Sequence, residues 1–248
     1  TLNVKQVYKG GKLVAENGKM LHQKEKNTDW STEIKERVFH SFHRVPITVE
    51  ELQLKETTGT HQRVIDMVAH ELITKERIEE WKELPGVASG VDISRDIVKL
   101  AAIERHKNTG HVGLGFLGKY GLKKGAVATS IGHDSHNLVI AGVTDEDMVL
   151  AGNRVIENGG GLAIALEGKV LADLPLPIGG LMADEPVEVV DEKLEHMKKL
   201  SVELGISEDI DAFMTLAFIS LPVIPKLRLN TYGVIDVEKH QVVKARFE

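Results

Sequence analysis

Apolar and polar positions alternate from the first residues: Leu2, Val4 and Val7 are spaced by polar neighbours, Gly10 and Gly11 turn the chain, and residues 13–15 return before Asn17 and Gly18. That pattern predicts a β-hairpin over residues 1–18. A lone hairpin is marginal in water, so this one is expected to complete a sheet supplied by other residues. Residues 19–60 are polar and mixed, with Trp30, Phe39 and Phe42 as bulky islands. They read as a linker with short helical or turn pieces, and the HSFHRV stretch (40–45) as a surface helix turn. From residue 61 to 248 the apolar content rises and a compact domain is expected. Residues 63–68 are β-prone and open it. Ile73, Arg77, Ile78 and Trp81 have helical spacing, so residues 72–84 predict a short helix with Thr74 as N-cap and Pro85 and Gly86 as its stop, a strand being the lesser alternative. Residues 97–103 are apolar enough for a buried strand.

Glycines 110, 113, 115, 118 and 121 punctuate the next stretch, which reads as a bent strand in a tight sheet. Their spacing is neither GxGxxG opening a helix nor a P-loop, so a nucleotide-phosphate cradle is rejected. Two β-prone segments, alternating at Val127, Thr129 and Ile131 and continuous over 138–141, flank a polar knot at 133–137. Thr144 then caps a helix whose acids at 145, 146 and 147 suit the positive end of its dipole, and Gly159 to Gly161 stop it. Residues 162–174 predict a hairpin turning at Glu167 and Gly168, and 175–182 a Pro- and Gly-rich loop. Asp184 and Pro186 open a further helix with Val187, Val190, Leu194, Met197 and Leu204 on one side. Residues 211–224 suit either a buried helix or a strand, and 232–237 with 241–247 a closing hairpin. The mixed order predicts an α+β fold: a layered α/β domain with antiparallel hairpins, preceded by the short N-terminal one.

Composition narrows the class. With 248 residues and 42% hydrophobic content the chain can bury a sizeable core. Lys and Arg total 31 against 37 Asp and Glu, a formal charge of -6 without basic runs, which argues against nucleic-acid binding. There is no cysteine, which excludes disulfides and thiolate chemistry and fits a reducing cytoplasm. No stretch approaches a membrane span. The chain begins at Thr1, which suggests processing or a fragment.

Chemistry concentrates at His133, Asp134, Ser135, His136 and Asn137. Two imidazoles and a carboxylate so close together suit proton transfer or a divalent metal. The same residue types also form ordinary capped turns, because their side chains bond nearby backbone groups. Both readings stay open on residue types alone. A second polar cluster runs through Glu104, Arg105 and His106 to His111.

Three blocks carry a resemblance: GVDISRDIVKLAAIERHKNTGHVGLGFLGKYGLKKGAVATSIGHDSHNLVIAG, GGGLAIALEGKVLADLPLPIGGLM and FMTLAFISLPVIPKLRLNTYGVIDV. Together they closely resemble the C-terminal domain of bacterial adenine deaminases, over residues 61 to the end. VKQVYKGGKLVAENGK looks like the last hairpin of the small β-sandwich beside the barrel of amidohydrolase-superfamily enzymes. The resemblance implies conversion of adenine and water to hypoxanthine and ammonia, with divalent metal (manganese or iron, or zinc) held in a (β/α)₈ barrel and activating the water. This sequence has no HxH and no room for a barrel, so no metal ligands are expected in it, and it is expected to be the C-terminal portion, inactive alone. The implied partners are adenine, the enzyme's own barrel and a second copy in a homo-oligomer, without nucleic acid or membrane. In the leading expectation His133, Asp134 and His136 support catalysis, and His111, Ser135 and Asn137 touch substrate. The competing expectation is a structural or dimerisation module covering the barrel. A third, a self-sufficient metal hydrolase, would use His111, His133, Asp134 and His136.

Overall fold

A computed structural model describes residues 3–21, 30–55 and 58–248, and the chain divides into two compact units, Thr1–Lys35 and Glu36–Glu248. In the first, strands β1 (Gln6–Lys9), β2 (Lys12–Glu16) and β3 (Lys19–Met20) form an antiparallel sheet. The expected hairpin is therefore present, with a third short strand added, while Leu2 lies outside the described residues. Of its apolar side chains, Val4, Val7, Tyr8 and Met20 are exposed and Leu13, Val14 and Ala15 half-buried. That accords with so few residues having no core of their own to bury them in.

Helix α1 (Thr32–Phe39) contains the boundary between the units. The second unit is built on one large sheet, and its further elements in chain order are β4 (His61–Met67), β5 (Thr74–Glu80), β6 (Ile97–Ile103), β7 (Val112–Gly118), β8 (Ala126–Thr129), β9 (Leu138–Gly142), α2 (Asp145–Glu157), β10 (Gly161–Leu166), β11 (Lys169–Pro175), α3 (Val187–Glu203), α4 (Ala212–Ile219), β12 (Leu227–Asn230), β13 (Gly233–Asp236), β14 (Gln241–Val243) and β15 (Arg246–Phe247). Nine strands run in the order β11-β10-β8-β9-β6-β7-β4-β15, with β5 also paired to β4. All neighbours are antiparallel except β4 with β7. A small sheet, β12-β13-β14, completes the α+β fold.

The central strands are buried on both faces, which is why they read as continuous apolar runs. Along β6, Leu100 and Ala102 enter one core cluster with Met197 of α3 and Phe213, Leu216 and Ile219 of α4. Ala101 and Ile103 enter the other, with Met148, Ala151 and Val155 of α2. Period-two alternation thus sorts one strand between two helical layers. Residues 40–55, read from sequence as part of a linker, put Ile47 and Leu52 into that second cluster. The stretch 41–45 is irregular, so the helix turn expected there is absent and α1 ends before it.

Three expectations are corrected. Residues 74–80 form a strand, β5, not a helix, and Ile78 is exposed. Cross-strand pairs decide it: Arg77 grips both oxygens of Asp66 from Nε at 3.0 and 2.9 Å, and Arg63 pairs with Glu76. Thr74 is not an N-cap; its hydroxyl donates to the Leu227 carbonyl at 2.8 Å and ties β5 to β12. Asp184 caps nothing, since Pro186 is the N-cap of α3, and Val187 is exposed instead of joining the buried stripe. The ambiguous 211–224 stretch is the short helix α4, with Asp211 accepting from the amides of Phe213 and Met214. The closing hairpin is β13 with β14, but Arg246 and Phe247 leave it to pair with β4.

Candidate functional site

Sheet register brings two loops to one rim. Ile103 is paired with Leu138 and with Val112, and Thr129 with both Val139 and Leu162. The loop 104–111 between β6 and β7 and the turn 130–137 between β8 and β9 therefore emerge side by side. Gly161 and Pro175, paired at the same end, bring the 176–182 loop beside them.

The turn is held by its main chain. The His133 amide donates to the Ala217 carbonyl at 2.8 Å, and Ser220 Oγ donates to the His133 carbonyl at 3.3 Å. The Ser135 carbonyl accepts from His106 Nε2 at 2.7 Å, and the His136 carbonyl accepts from Arg105 Nε. His136 sits at φ +50°, a left-handed conformation that a non-glycine residue adopts at a cost of about 1 kcal/mol.

The side chains have no such duties. Among the described residues, no side chain from 133 to 137 bonds a backbone group. His133 Nδ1 lies 2.6 Å from Asp134 Oδ1, and its ring stacks on Phe218 at 5.3 Å between centroids. With a proton on Nδ1 directed at the carboxylate, Nε2 carries the lone pair. His136 Nδ1 and Asn137 Oδ1 are buried without partners. Burial lowers the His136 pKa, with the neighbouring positive charge of Arg105 and the rings of His133 and His106 adding to it against the opposing pull of Asp134.

His111 is placed apart from this set: its ring lies against Tyr232 at 4.9 Å, on the turn between β12 and β13. Arg105 and His106, noted in the sequence only as a polar cluster, are the groups that reach the turn. Their signal was the pairing of two polar loops after adjacent strands, which requires the register to be known. Among the described residues, no group of three or more His, Cys, Asp or Glu converges as metal ligands.

The fold and rim thus define an α+β domain that presents a His-Asp-Ser-His-Asn turn bonded through its main chain. The chain belongs to the adenine deaminase C-terminal domain family, whose model matches residues 71–241. It is 43% identical over 240 residues to "Adenine deaminase 2" of Carboxydothermus hydrogenoformans, an alignment covering 96% of this chain and 40% of that protein. It is 41% identical to the adenine deaminase of Petrotoga mobilis (96% and 40%) and 38% identical to that of Lysinibacillus sphaericus (98% and 41%). The chain spans about 40% of the length of these relatives.

Proposed function

We propose that this chain is the C-terminal portion of an adenine deaminase, working in the cytoplasm as part of a homo-oligomer, and that the 133–137 turn faces the active site of the catalytic barrel. The reaction is hydrolytic: water adds at C6 of adenine, ammonia leaves, and hypoxanthine remains. The observation that supports a role for the turn is its division of labour. Its carbonyls are bound by neighbouring loops, while all five side chains are free of backbone bonds among the described residues. A merely capped turn spends those side chains on its own backbone.

In this reading His133, with Asp134 fixing its tautomer, accepts or returns a proton through Nε2. His136, kept neutral by its surroundings, together with Ser135 and Asn137, offers donors and acceptors to the polar edge of the purine. A divalent metal, manganese, iron or zinc, supplies the activated water when bound to the barrel. The described residues of this chain do not fit such a centre on their own, so no step assigned to them runs through it. The 1–18 hairpin serves as the end of the barrel's flanking sandwich and the 61–248 domain as its cover, while the expected 19–60 linker is a connection only in part, since its 40–55 stretch packs into the core of that domain.

His133→Ala and His136→Ala in the longer deaminase are the test, with turnover and metal content both measured. A fall in kcat of about 10²-fold at unchanged metal content is expected. Unchanged turnover in both variants leaves a structural cover or dimerisation module as the reading.

A further inference from the structure

We propose that Arg105 and His106 are positioning residues for the 133–137 turn, clasping it by its main chain so that its side chains stay aimed at substrate; this rests on the reading above. Arg105 is 1% exposed, yet among the described residues no carboxylate pairs with it. Its Nε donates to the His136 carbonyl and its Nη2 to the Gly179 carbonyl at 3.1 Å, while Phe42 lies under the guanidinium at 4.8 Å. Nη1 has no partner among the described residues.

Burying a cation is costly when no counter-ion stands beside it, as here among the described residues, and burial drags the arginine pKa down to about 10 against the opposing pull of Glu104. An apolar residue of similar size would pack there without that cost. What only the guanidinium provides is a planar fork that bonds two separate loops at once, which a lysine cannot reproduce. Gly180 makes room for it: a Cβ at that position would stand 2.7 Å from Nη1.

His106 supplies the second grip, on the adjacent carbonyl. A carbonyl only accepts, so the 2.7 Å contact to Ser135 O fixes the proton on Nε2. The loop that carries both residues is itself tied down. Glu104 accepts from the amides of His106, Lys107 and Thr109, and His43 Nδ1 donates to the His106 carbonyl at 2.7 Å. Consecutive residues 105 and 106 thus hold consecutive carbonyls 136 and 135, across the strained φ of His136. This is how a turn is fixed to within the fraction of an ångström that proton transfer needs.

The test uses Arg105→Lys and His106→Ala, with His106→Gln as the conservative partner because its amide can replace the Nε2–H donor. In the present chain, amide exchange at 133–137 is followed by NMR. In the longer deaminase, kcat and KM are measured. The expected result is exchange at 133–137 faster by about tenfold or more with β6 and β9 unchanged, and kcat lower by about 10- to 100-fold with KM within about threefold. His106→Gln should retain most of both. Unaltered exchange at the turn in Arg105→Lys and His106→Ala overturns the clasp, whatever the activity. Faster exchange with full kcat overturns the positioning role. If His136→Ala is damaging while both clasp variants are silent, only this inference falls; if all are silent, the reading beneath it falls as well.

Discussion

Nδ1 of His133 and Oδ1 of Asp134 stand 2.6 Å apart, although the carboxylate side chain is 78% exposed. A contact so open to water adds almost nothing to stability, because solvent screens it and holding the two side chains together costs entropy. Its effect is on the ring: a carboxylate on Nδ1 selects the tautomer whose Nε2 accepts a proton. Asp134→Asn is therefore expected to leave the melting temperature within about 1 °C while lowering kcat of the longer deaminase about tenfold or more. Thermal melts beside steady-state kinetics check this. A large loss of stability, or full turnover, contradicts it.

His136 makes folding sensitive to mild acid. Burial, then Arg105, lower its pKa below the ordinary imidazole value of about 6.5, so the unfolded chain takes up this proton before the folded one does. The contribution is fully present above the unfolded pKa and is lost as pH falls from there through the folded pKa. Urea unfolding between pH 7 and 5 should show stability falling with pH, and His136→Gln should flatten that slope. An identical slope in the variant would remove His136 as the source.

Glu104 acts lower on the pH scale. Burial alone would raise its pKa, but the amides of Thr109, Lys107 and His106 outweigh that and bring it from 4.5 to about 2. Its folded pKa is depressed, so its contribution is present above about pH 4.5 and lost as pH falls through about 2. The side chain is partly exposed, which reduces the ceiling set by the shift to about 1 to 2 kcal/mol. Glu104→Gln should be less stable than the parent by that amount at pH 7 and converge with it near pH 2, in denaturant titrations at each pH.

The central sheet and its helices were legible because burial on both faces writes long apolar runs. Residues 97–103 and 138–141 read as strands without knowledge of their partners, and Thr144, with its hydroxyl 3.3 Å from the Asp147 amide, read as a cap. The edge strand β5 was not legible, because T-K-E-R-I-E-E carries charges at nearly every position and its strand state depends on Asp66 and Arg63 across the ladder. At the candidate site the turn residues stood out by type. Arg105 did not, since its significance lies in carbonyls 31 and 74 positions away along the chain. The acids after Thr144 show the same limit. Asp145 and Asp147 suit a helix start, yet both are buried and serve distant partners: Asp145 binds Lys99, and Asp147 accepts from the Gly168 amide at 3.1 Å.

That Lys99–Asp145 pair yields the sharpest stability prediction. Lys99 sits at 0% exposure within β6, donating from Nζ to Asp145 at 2.6 Å and to the Leu52 carbonyl at 2.9 Å, while Gln53 Nε2 donates to the other Asp145 oxygen at 2.9 Å. One ammonium thus joins the sheet, the start of α2 and the short turn at 50–52. Removing one partner strands a buried charge, so Lys99→Met alone should cost about 3 to 5 kcal/mol. Adding Asp145→Asn removes the orphaned charge while keeping an acceptor for Gln53. The double variant should therefore recover at least about 1 kcal/mol over Lys99→Met, a coupling that a double-mutant cycle in urea reads directly. Strict additivity of the two single changes would mean that the lysine is held by the Leu52 carbonyl and its apolar stem, with the carboxylate incidental.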